Sequence, residues 1–89
     1  MNERHYRPVT PLYLDEVPDG GHGYRLWLTR GAHGGNGRQM PSDPRGYAAV
    51  LYATLHAIDT EGFDWISVEP PPDAPEWAGV LDRLRRAAS

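Results

Sequence analysis

The stretch that decides the fold is residues 43–69, DPRGYAAVLYATLHAIDTEGFDWISVE. Its opening Asp-Pro predicts a helix start, because the carboxylate caps free N–H groups and proline suits the first helical position. The apolar residues that then recur at helical spacing are Tyr47, Val50, Leu51, Leu55 and Ile58. This pattern runs to about Thr60, and Gly62 is well placed to end the helix. Beyond it, Ile66 and Val68 alternate with polar or aromatic neighbours and predict a strand.

Two shorter runs before this helix also alternate as strands do. They are TPLYL at residues 10–14 and YRLWLTR at residues 24–30. Only nine residues separate them, fewer than a parallel crossover usually needs, so the sequence predicts an antiparallel first pair. The second run, the helix and the last strand together predict a right-handed unit with parallel strands.

A second helix is predicted at the end of the chain. PPPDAPEW, residues 70–77, places Asp73 as N-cap and Glu76 in capping-box position. The apolar stripe of this helix comprises Trp77, Val80, Leu81, Leu84 and Ala87. Asp82 and Arg86 can pair across one turn, so the arginines near the end form no continuous basic stripe.

The predicted fold is therefore of the α/β class: a small three-stranded mixed sheet in the order β-β-α-β-α, with two helices, a Rossmann-like fragment. Residues 10–89 are expected to form one domain and residues 1–9 an N-terminal arm. The absence of cysteine excludes disulfides and thiol catalysis. With no long apolar run and no signal-peptide core, a cytoplasmic protein is expected. The net charge of -3 argues against a general nucleic-acid binder.

No catalytic apparatus is visible in the sequence. The four histidines, which have no metal-ligand spacing, are His5, His22, His33 and His56. No serine has an evident base partner, and adjacent carboxylates point apart. We therefore expect no catalytic residue, no metal site and no cofactor, and a non-enzymatic role is favoured over an enzyme of unknown reaction.

The glycine-rich stretch RGAHGGNGR, residues 30–38, suggests a small-ligand or nucleotide site. A parallel strand-helix-strand unit would bring it to the sheet edge where open α/β folds hold ligands. The candidate lining residues are Arg30, His33, Asn36, Arg38 and Glu69. However, Asp43 and Asp73 would compete as helix caps for the same N–H groups, and no phosphate-binding motif is present. A simple connection is therefore favoured over a ligand site.

Three aromatic residues of the predicted strands share one face of the sheet: Tyr13, Trp27 and Trp65. If both helices cover the other face, which carries the leucines, then these rings and the neighbouring Arg25 form a protein interface. That arrangement predicts a homodimer or a partner surface. If instead one helix packs on each face, the rings are buried in an ordinary core and a monomer is expected.

The chain resembles the C-terminal domain of the two-domain threonylcarbamoyl-AMP synthases. The motifs are LYATLHAID at 51–59, VEPPP at 68–72 and DRLRRAA at 82–88, while ERHYRPVTPLYL at 3–14 is similar to the end of the interdomain linker. The resemblance covers residues 3–14 and 41–89. In that family a helix and a longer connection usually follow the first strand, whereas here DEVPDGGHG, residues 15–23, replaces them. Arg7 also stands where the family tends to have alanine.

The resemblance implies an accessory domain rather than an enzyme. The family's catalytic domain, which binds ATP, threonine and bicarbonate, has no counterpart in these residues. Arg4, His5 and Tyr6 match the linker stretch that approaches bound nucleotide. The function expected is a non-catalytic regulatory or protein-interaction module in tRNA modification, acting in trans on a separately encoded catalytic domain. The alternative is a small-ligand or nucleotide sensor at the sheet edge.

Overall fold

The computed structural model describes residues 8–29 and 36–88. The strands there are β1 (Leu12–Leu14), β2 (Gly23–Trp27), β3 (Asn36–Gln39) and β4 (Trp65–Val68). The helices are α1 (Pro44–Asp59) and α2 (Ala78–Ala88), the latter preceded by a 3₁₀ turn (Pro75–Trp77). The α/β class and the two predicted helices are confirmed.

The described sheet has four strands in the order β1-β4-β2-β3, and every pair is parallel. The predictions of three strands and of an antiparallel first pair are therefore wrong. β4 lies between β1 and β2, and these strands are only three and five residues long. Residues 15–22, if extended, can span roughly 26 Å, so they return to the start of the sheet without a crossover helix.

The strand that the sequence analysis missed is β3, with the sequence NGRQ. It has no apolar side chain to alternate, and its burial is low because it forms an edge of the sheet. It pairs only with β2, in a register that places Gly37 beside Arg25 and Arg38 beside Leu26. The stretch interpreted as a loop over residues 30–38 therefore ends in a strand.

Both helices pack on the same face of the sheet. The core cluster combines strand residues such as Leu26 and Ile66 with residues of both helices. The buried residues of α1 are Tyr47, Leu51, Thr54, Leu55 and Ile58. The buried residues of α2 are Val80, Leu81, Leu84 and Ala87. Val50, predicted in the apolar stripe of α1, is instead 39% exposed. The result is two layers, with one sheet face left without a helix.

The helix starts follow the prolines. Asp43 caps α1 as predicted, with its carboxylate accepting from the Gly46 N–H at 2.7 Å. Asp73 does not cap the second helix, because the N-cap is Ala74, which has no side-chain cap bond. Proline holds the preceding residue extended and takes the first helical position itself, so Pro75 fixes the cap one residue later than predicted.

The chain that leads into β1 is tied to the end of α1. Asp59 accepts hydrogen bonds from the N–H groups of Val9 and Thr10, both at 2.9 Å, and from Thr10 Oγ1 at 2.6 Å. Most of the predicted N-terminal arm, residues 1–7, lies outside the described residues.

On α2, Asp82 and Arg86 pair at 3.2 Å as expected. None of the helices described here has the length and apolarity that a membrane span requires.

Candidate interaction face

The sheet face opposite the helices is called here the open face. The strand register places in one row, from β1 across to β3, the residues Tyr13, Ser67, Arg25 and Gly37. The remaining strand residues of this face are Gly23, Trp27, Gln39 and Trp65. The structure therefore brings Tyr13, Trp27 and Trp65 together on one face, the arrangement that the first of the two sequence interpretations requires.

Trp65 lies flat against the sheet. A Cβ built on Gly23 would stand 2.2 to 2.3 Å from three carbon atoms of the indole, so the ring occupies the space above that glycine. The indole Nε1–H donates to the carbonyl oxygen of Gly20 at 2.9 Å. A glycine at position 23 is thus needed for the orientation of Trp65.

Trp27 repeats the arrangement one strand further along. A Cβ on Gly37 would lie 2.2 Å from Cζ3 of the Trp27 ring, and 2.9 Å from the carbonyl oxygen of Arg25. Both tryptophans are half-buried, because one side of each ring covers backbone of the neighbouring strand. The sequence analysis missed the role of Gly23 and Gly37. Each glycine lies on the strand next to the one that carries the tryptophan, so this pairing could not be seen without the strand order.

Residues 15–22, called here the strap, cross β4 on the open face. Ser67 Oγ donates to the carbonyl oxygen of Glu16 at 2.7 Å. At the other end, the backbone of His22 and residue Asp64 exchange bonds of 2.7 and 2.8 Å. Gly20 and Gly21 both have positive φ, which glycine adopts without strain. The strap thus covers part of the open face, and Tyr13 is still 36% exposed.

The charges of the open face have an uneven distribution. Arg25, in the middle of the face, is half-buried and has no hydrogen bond or ion pair with any described residue. The strap contributes the exposed acidic residues Asp15, Glu16 and Asp19. The face therefore combines aromatic rings, one central guanidinium and an acidic border.

The residues proposed for a ligand site at the sheet edge are dispersed. Glu69 accepts hydrogen bonds from the N–H groups of Leu28 and Thr29, at 2.7 and 3.1 Å, and from Thr29 Oγ1 at 2.7 Å. These bonds hold the carboxylate against the end of β2. Because β3 runs parallel to β2, Asn36 lies at the opposite end of the sheet from Glu69.

Arg38 also points away from that edge. It lies on the helix side of β3, and its Nη1 donates to Thr54 Oγ1 at 3.3 Å. The other two proposed ligand residues, Arg30 and His33, lie outside the described residues, as do the linker-like residues Arg4, His5 and Tyr6. The three described residues of this set are therefore not brought together at Glu69. Within residues 8–29 and 36–88, no three His, Asp or Glu side chains are grouped to hold a metal ion.

Tyr47 is buried in the core, close enough to Glu69 to be affected by its charge. Its ring packs edge-on against Trp77, with centroids 5.6 Å apart. Burial raises the pKa of the Tyr47 hydroxyl well above its usual range, and the negative charge of Glu69 raises it further. The hydroxyl therefore stays protonated at neutral pH, and Tyr47 and Trp77 are both part of the core.

Comparison with known proteins gives one match. The family model described as threonylcarbamoyl-AMP synthase, C-terminal domain, matches residues 1–89, the whole of this sequence. Neither the curated proteins nor the solved structures provide a match. The match extends over the strap and the open face as well as over the helices that carry the sequence motifs.

Proposed function

Because this chain belongs to the family of threonylcarbamoyl-AMP synthase C-terminal domains, we propose that it is a non-catalytic interaction module of that enzyme. It docks through the open face on a threonylcarbamoyl-AMP synthase catalytic domain, and acts in trans where that domain is on another chain. In this role it regulates an enzyme of tRNA modification.

The observation that carries the proposal is the composition of the open face. Parallel sheets normally have both faces covered, so the face of this all-parallel sheet that has no helices is one that such sheets usually bury. Here it carries two indoles and the exposed ring of Tyr13 around Arg25. Aromatic residues with an arginine among them are enriched where proteins bind one another, and contiguous exposed apolar surface marks such sites.

A non-catalytic role agrees with how the described polar side chains are used. The carboxylates of Glu69 and Asp59 and the hydroxyl of Ser67 all bond to backbone groups of other segments. Each of them joins two elements of the fold. Groups held in this way stabilise structure and are poorly placed to exchange protons with a substrate.

The test is isothermal titration of this chain into the single-domain threonylcarbamoyl-AMP synthase of the same organism, with ATP and threonine present. Micromolar or tighter binding is expected. Tyr13→Ala should weaken it by about tenfold, as expected when an exposed aromatic residue of the interface is removed. Val50→Ala, on the outer surface of α1, is the matched control and should bind as the wild type does. Absence of binding at any accessible concentration would refute the proposed function.

A further inference from the structure

Arg25 has an unusual position on the open face. It is in the middle of β2, between β4 and β3 in the sheet. Its side chain leaves the strand between Gly23, which lies under the Trp65 indole, and Trp27. Across the sheet its neighbours are Ser67 of β4 and Gly37 of β3. The two indoles lie over Gly23 and Gly37, so both rings border Arg25, and no strand residue beside it is charged.

Such surroundings strengthen an ion pair made with an incoming group. The attraction between two charges rises as the local dielectric falls, and covering the indoles would remove water from around Arg25. Arginine also offers a rigid fork of donors that matches a carboxylate in a bidentate pair. Since Arg25 pairs with no described residue, it is available for that bond.

The border of the open face limits the kind of partner. The exposed acidic residues Glu16 and Asp19 lie on the strap, and Asp64, whose carboxylate accepts from the His22 N–H, is exposed beside it. This border repels polyanions such as nucleic acid, which need a basic surface. A protein surface with basic residues at its edge and a carboxylate at its centre complements both parts of the face.

We propose that Arg25 is the charged anchor of the docking face and receives an aspartate or glutamate side chain of the catalytic domain. Basic residues of that partner face the strap, and its apolar side chains cover the two flat indoles. This inference rests on the proposed function, because it names the chemistry by which the same face binds the same partner.

The experiment compares two arginine-to-glutamate variants in titrations into the single-domain synthase. Arg25→Glu should raise Kd by at least about 30-fold, since a carboxylate would then meet a like charge at the centre of the interface. Arg83→Glu carries the same charge change on the exposed side of α2 and should leave Kd unchanged. Circular dichroism and thermal unfolding establish that each variant is folded.

Further variants keep the test independent of folding defects. If Arg25→Glu fails to fold, Arg25→Gln removes the charge at similar length and should raise Kd by about tenfold. Asp19→Asn at the border should reduce the salt dependence of binding while leaving Kd at high salt unchanged. A variant of the catalytic domain in which the carboxylate that faces Arg25 is replaced by arginine should bind the Arg25→Glu chain more tightly than it binds the wild-type chain.

The outcomes separate the two proposals. If Arg25→Glu and Arg25→Gln both bind the catalytic domain as tightly as the wild type does, the anchor role is overturned and the proposed function still stands. No binding of the wild type would refute the proposed function itself. A dimer of this chain that excludes the catalytic domain and is lost in Arg25→Glu would assign the face to a second copy and overturn the inference.

Discussion

Replacing Gly23 by alanine tests the packing that shapes the open face. The added methyl carbon would lie 2.2 to 2.3 Å from three atoms of the Trp65 ring, whereas non-bonded carbons need about 3.5 Å or more. The ring must therefore leave the sheet, and with it goes the 2.9 Å hydrogen bond from Nε1 to Gly20. Alanine itself suits an ordinary strand position, so the displaced tryptophan is the main cost.

The expected loss of stability follows from what the ring gives up. Exposing about 100 Å² of indole costs about 2.5 kcal/mol. The lost hydrogen bond adds about 1 kcal/mol, and replacing glycine in a strand returns about 0.5 to 1 kcal/mol. Gly23→Ala should therefore lower the free energy of unfolding by about 2 to 3 kcal/mol. For a domain of this size that is a fall in Tm of roughly 10 to 20 °C.

The assay is a double-mutant cycle by urea unfolding. In a Trp65→Ala background the added methyl meets no ring, so Gly23→Ala should be neutral or stabilise by about 0.5 kcal/mol. Gly79→Ala on α2 is the control, because a Cβ there would meet only the flexible end of Arg83 and alanine favours the helix. Additive effects of Gly23→Ala and Trp65→Ala would show that the ring does not occupy the space above Gly23.

Three further predictions concern the helices and the core. Asp43→Ala should lower stability by about 1 kcal/mol in urea unfolding, since the Gly46 N–H loses its cap, and Asp43→Ser should restore most of it. Leu55→Ala should cost about 2 to 4 kcal/mol and Val50→Ala less than about 1 kcal/mol, because Leu55 is fully buried. Stability should fall as pH rises above about 10, since the unfolded chain ionises Tyr47 before the folded one does, and Tyr47→Phe should flatten that fall.

The helices and three of the strands could be predicted because their apolar residues repeat at the period of the element. The core face of β4, with Ile66 and Val68, and the buried stripe of α2 both follow that pattern. β3 could not be found in this way, because its place in the sheet comes from backbone pairing with β2 and from Gly37 fitting under Trp27. Tertiary packing, rather than local propensity, makes it a strand.

The topology was mispredicted for a different reason. Connections between parallel strands usually carry a helix and need a dozen or more residues. Here β1 and β2 are only three and five residues long, and residues 15–22 make the return without a helix. The Asp73 cap, by contrast, was open to correction from the sequence. Pro44 follows Asp43 directly, and the same reasoning applied to Pro75 selects Ala74.

The strap determines which part of the open face is covered. Here residues 15–22 make the return on the open face and bond to Trp65 and Ser67 of β4. Trp27 and Arg25, on the next strand, remain half-buried. The same connection leaves those residues partly uncovered and brings exposed acidic residues to the border of the face. The connection between the first two strands therefore accounts both for the surface available to a partner and for the charge that the partner must complement.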